Sequence, residues 1–71
     1  MTFYDFINDF VNDDTPLGQL AYFINKDKNF PKHATGYHEL YAYFKTNYNY
    51  NEIMTSVKRA LSLYLNNLSV N

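Results

Sequence analysis

From Ile53 to Leu68 the apolar residues return every three or four positions, as Ile53, Val57, Ala60, Leu61, Tyr64 and Leu68, with Met54 and Leu65 on the shoulder. That spacing lays one stripe of an α-helix against a core and excludes a strand, whose side chains alternate with period two. Three earlier segments repeat the pattern. Phe3, Phe6, Ile7 and Phe10 predict a helix over about 3–11, with Thr2 as N-cap, Asp5 as its capping-box partner, and Asn12, Asp13 and Asp14 as the closing turn. Thr15-Pro16 is a start signal, because threonine caps and proline at the first helical position loses no hydrogen bond. Leu17, Leu20, Ala21 and Ile24 give that second helix its inner face, to about residue 27, and Gly18 weakens its first turn.

Residues 28–35 read as a loop anchored by Phe30, which Pro31 forces out of helical geometry. Thr35 is expected to cap a third helix over about 36–47, with Tyr37, Leu40, Tyr41, Phe44 and Tyr48 on one face. The fourth covers about 52–67. Four helices with short polar joints predict an all-α, compact four-helix bundle, a single domain over residues 1–71, with Phe6, Leu20, Phe44 and Leu61 sharing its core. The chain has no cysteine to staple so short a fold, so its eight tyrosines and six phenylalanines must supply the buried area.

Phe30-Pro31-Lys32, Tyr37-His38-Glu39-Leu40, Tyr43-Phe44, Asn47, Tyr50, Met54 and Tyr64, after the opening Phe3-Tyr4 and Phe6-Ile7, form an ordered series that resembles the YozE family. The resemblance implies a short protein of low-GC Gram-positive bacteria with a sterile-alpha-motif-like (SAM-like) fold. It implies no activity, because domains of that fold self-associate, join protein partners or bind nucleic acid. The chain departs from the family pattern at Lys58-Arg59-Ala60-Leu61, where an acidic, Trp-containing segment is expected, at Tyr22 and Phe23, where polar residues are expected, and at Gly36, where an acidic residue is expected. Ten asparagines among many Tyr, Phe, Lys and Ile residues fit AT-rich codons, in a chromosome or a mobile element.

Catalytic and metal chemistry find little support. His33 and His38 have no cysteine to complete a zinc set, and Asp9, Asp13 and Asp14 lack the spacing and glycine of a calcium loop. Ser56, Ser62 and Ser69 lie on or after the last helix without a glycine-rich elbow, so neither enzyme activity nor a cofactor is expected. The N-terminus lacks a signal-peptide pattern and no stretch approaches the length of a membrane span, which makes the cytoplasm the expected location, with no membrane partner.

Charge and surplus apolar residues carry the functional expectation. Residues 1–20 hold four acidic and no basic side chains, whereas residues 21–71 hold six basic and three acidic ones. A nucleic-acid surface would draw on Lys26, Lys28, Lys32, Lys45, Lys58 and Arg59, but a net charge of −1 and a pI near 6.0 argue against a concentrated basic field. Lys58 and Arg59 should both face solvent. With Leu17 at 0°, Tyr22 and Phe23 fall at about 140° and 240° around the second helix, away from its core arc. Leu63 falls among polar positions, and Tyr4 and Val11 sit on the shoulder of the first helix. Tyr4, Tyr22, Phe23 and Leu63 are therefore the candidate partner-binding residues, whereas Tyr43 is expected to pack, as the family resemblance implies. The expectation is a non-enzymatic protein–protein interaction module, binding an unidentified protein or itself. Nucleic-acid binding is the alternative, and inhibition of a host factor by a mobile-element protein is a third.

Overall fold

The computed structural model describes residues 1–49 and 51–69, and Tyr50 of the family-like series lies outside them. Its helices are α1 (Phe3–Asn8), α2 (Pro16–Lys26), α3 (Tyr37–Asn47) and α4 (Asn51–Ser69). Helix α4 packs against the other three, and α1 and α2 pack on each other. At 19 residues it is the axis of the fold. Its length of ~28 Å nearly spans the 32 Å long dimension of the molecule.

Capping decides where the helices begin. The Thr2 hydroxyl accepts from the Asp5 backbone N–H at 3.1 Å and the Thr15 hydroxyl from that of Gly18 at 3.1 Å, as their sequence positions predict. Thr35 does not cap α3. Gly36 occupies the cap position instead, with no side-chain hydrogen bond, so the start of α3 rests on tertiary packing.

Helix α1 is shorter than its apolar repeat. After Asn8 the chain tightens into bonds three residues apart, from Phe10 to Ile7 and from Val11 to Asn8, because it must turn back into α2. That turn passes over Gly18. A Cβ there would stand 2.8 Å from the Asp13 carbonyl carbon and 3.0 Å from the Phe10 oxygen, so this glycine permits a close backbone approach.

Phe3 is the centre of the core. It is fully buried, with Phe44 at 5.8 Å and Tyr64 at 5.4 Å in edge contact. Ile7, Leu20, Ile24, Phe30, Leu40, Val57 and Leu61 complete it. Phe6, expected inside with Leu20, Phe44 and Leu61, is only partly buried, because the short α1 turns Phe3 and Ile7 inward and leaves Phe6 at the margin against Phe10 and Tyr64. Two further residues placed on inner faces are exposed. Tyr37 precedes the first buried turn of α3 and stacks on Tyr41, and Leu68 lies beyond Tyr64, the last residue of α4 that is buried among the described ones. The Tyr64 hydroxyl donates to the Met1 carbonyl at 2.7 Å, which ties the N-terminal segment to α4.

Candidate functional site

Phe23 stands between two recesses. The larger, an open groove of about 990 Å³, runs between the N-terminal half of α2 and the first turns of α4. Phe10, Leu17, Leu20 and Ile53 give it apolar walls, while Asp13, Glu52 and Arg59 bring charge to it. The smaller, about 410 Å³, lies where α2 ends opposite the C-terminal turn of α3, with Asp27, Tyr43 and Tyr48 in its lining.

Tyr22 and Phe23 are each half exposed, at 51% and 50%, with their rings in edge contact at 6.0 Å. Both project outward because α2 buries Leu20, Ala21 and Ile24, which leaves the intervening positions on the outer arc. Lys26 lies one turn beyond Tyr22 and holds its ammonium 5.0 Å from that ring.

The other candidates are dispersed. Tyr4 is partly buried, 6.0 Å from the Phe30 ring and under the Lys32 ammonium at 5.4 Å. Leu63 is exposed on α4, and neither it nor Tyr4 lines either recess. Lys26, Lys28, Lys32, Lys45, Lys58 and Arg59 are all exposed, yet of the six only Arg59 lines the groove. His33 and His38 are exposed, and among the described residues no three His, Cys, Asp or Glu side chains form a metal-binding group. Among the described residues no helix is long and apolar enough to cross a membrane.

The Asp27 cluster is absent from the sequence reading. One carboxylate oxygen, Oδ2, accepts from the Tyr43 hydroxyl at 2.6 Å and the Tyr48 hydroxyl at 2.9 Å, while Oδ1 accepts from the Asn29 backbone N–H at 3.0 Å. These bonds join the end of α2 to α3, two helices whose backbones do not come close to each other. Tyr43 therefore packs as expected, but as a polar tie as well as an aromatic contact with Phe30.

Burial pushes the Asp27 carboxyl up, but hydrogen bonds from Tyr43, the Asn29 backbone and Tyr48 outweigh it and hold the group below its ordinary value. Burial first, and then Asp27, push Tyr43 up to about 12 and Tyr48 higher still. Below the ordinary carboxylate value of 3.8 the unfolded chain takes up the Asp27 proton more readily than the native one, so stability falls as pH drops through the native value. Above the ordinary tyrosine value of 10.0 the unfolded chain releases tyrosine protons first, so stability falls again as pH rises. Between those limits this cluster adds no slope. Urea midpoints measured from acid to alkaline pH should show both flanks, and Asp27→Asn should flatten the acid one; coincident profiles would remove the cluster from the stability of the fold.

A family model described as YozE SAM-like fold matches residues 2–66. No curated protein and no solved structure matches the chain.

Proposed function

Since the chain belongs to the YozE SAM-like family, we propose that it is a non-enzymatic, cytoplasmic protein-binding module that grips an apolar segment of a partner protein along the α2–α4 groove, with Tyr22 and Phe23 as anchors. One observation carries the reading: two adjacent aromatic rings are half exposed and one of them, Phe23, forms part of an apolar-walled groove. Scattered exposed apolar residues are ordinary, but rings contiguous with an apolar recess form a patch. Aromatic anchors bury large area while freezing few rotamers, which is why they dominate binding energy at interfaces. A groove between two helices is the shape that accepts an apolar helical or extended segment.

Electrostatics favours a protein over nucleic acid. Asp13 and Glu52 outnumber Arg59 at the groove, so the field there is not the basic one that phosphate binding requires.

Affinity capture from the source cell, using wild type and the Tyr22→Ser/Phe23→Ser double variant with and without nuclease, tests the reading. A protein retained after nuclease and lost from the double variant is expected, with affinity falling about 30-fold or more if each ring acts as an interface anchor. Both positions are exposed, so the melt of the double variant should stay close to wild type. Retention that depends on nucleic acid, or undiminished capture by the double variant, would overturn it.

A further inference from the structure

The second recess differs in chemistry from the groove it adjoins. Among the described residues its single ionised group is Asp27, and none of those lining it is a lysine, arginine or histidine. All three donors to that carboxylate are neutral. An ionised carboxylate offers about four acceptor sites, and the described residues use three of them, which leaves a second site on Oδ1 for a ligand donor. The phenol oxygens of Tyr43 and Tyr48, having donated their protons, keep lone pairs that can accept, and both residues line the recess. The Asn47 amide nitrogen donates to the Tyr43 carbonyl at 3.0 Å, which leaves its side-chain oxygen as a further acceptor. Around this acceptor-rich floor stand the rings of Phe23, Tyr43 and Tyr48, the last two 6.2 Å apart and inclined at 50°. Aromatic faces and carboxylate oxygens both attract cations, and a planar cation can use both at once.

We propose that this recess receives an arginine side chain of the partner protein, its guanidinium stacked against the aromatic wall and donating to the open Asp27 Oδ1. The inference rests on the docking reading and deepens it, because Phe23 belongs to both recesses. A segment lying across Phe23 places an apolar side chain in the groove and its arginine in the recess. Charge complementarity selects this occupant: the recess carries one negative and no positive side chain, and the adjoining groove adds Asp13 and Glu52 against Arg59. Asp27 is held below its ordinary value, so it is ionised at neutral pH.

The test needs no knowledge of the partner. The folded protein is titrated with Nα-acetyl-arginine methylamide, its lysine counterpart and its uncharged citrulline counterpart, followed through the backbone amide resonances of Asn29, Tyr43 and Tyr48. Saturable shifts with the arginine compound are expected, with affinity about tenfold weaker for citrulline and for Asp27→Asn, the scale of one charge-assisted hydrogen bond. Lysine should bind more weakly than arginine, because an ammonium cannot stack as a plane. Phe23→Ala should weaken arginine binding several-fold while leaving the fold intact, and so reads the site even if Asp27→Asn proves too unstable to measure. Equal shifts with arginine and citrulline, or undiminished binding by Phe23→Ala, would overturn the proposal. Shifts at the same amides on raising protein concentration alone, lost in Arg59→Gln, would assign the cation to a second copy and overturn it equally. If arginine fails to bind while the double variant still loses its captured protein, the cation is refuted and the docking surface stands. Arginine binding without captured protein refutes the surface instead.

Discussion

Phe3→Ala is expected to unfold most of the population at ambient temperature. The ring is fully buried and meets rings from its own helix, the α2–α3 loop, α3 and α4: Phe6 at 6.3 Å, Phe30 at 6.3 Å, Phe44 at 5.8 Å and Tyr64 at 5.4 Å. Removing a buried phenylalanine ring costs about 3 to 5 kcal/mol, the lost transfer energy plus a cavity that neighbours fill only in part. A domain of this size has roughly 5 kcal/mol in total. Phe6→Ala should cost distinctly less, because Phe6 already lies partly in solvent. Thermal melts of the two variants rank them, and a Phe3→Ala melt equal to wild type would contradict the placement of Phe3 at the centre.

Gly18→Ala should destabilise in spite of helix propensity, which by itself favours alanine by about 1 kcal/mol. The added methyl would be driven into the Asp13 carbonyl, and the atoms it meets, in Asp13 and Phe10, are backbone and cannot rotate away. The turn after α1 must then lift off α2, at a cost of about 1 to 3 kcal/mol or more. For a domain of this length each kcal/mol lowers the melting temperature by about 4 to 8 °C, so a drop near 10 °C is expected. Gly36→Ala is the control, since nothing lies within 4 Å of a Cβ there. A rise in melting temperature for Gly18→Ala would show that the turn is loose.

These two glycines mark where sequence reasoning reaches and where it stops. Apolar spacing is a local property, so the helices, the Thr2 and Thr15 caps and the outward aspect of Tyr22 and Phe23 were all legible from residues a few positions apart. Gly18 looked like a defect in its own helix, because its reason lies in the preceding turn. Leu68 followed the stripe of α4 correctly, but burial depends on a neighbour being present, and α4 outlasts its neighbours. Asp27 stood only at the expected end of the second helix, with no partner in sight, because its partners lie 16 and 21 residues downstream. Tyr43 carried the one available signal, a tyrosine implied to pack although adjacent to the inner-face Phe44. The α2–α4 groove exists only once two distant segments are side by side, so the sequence shows its anchors and not its shape.

The docking claim is most directly tested by photo-crosslinking from inside the proposed surface. With a benzoylphenylalanine in place of Phe23, and in separate preparations in place of Leu63 on α4, the protein is irradiated in extract of its source cell. A discrete protein adduct is expected from position 23, competed by excess wild type but not by the Tyr22→Ser/Phe23→Ser variant, and absent from position 63. An adduct pattern identical at the two positions, or competition by the double variant as effective as by wild type, would contradict the assignment of the partner to the α2–α4 surface.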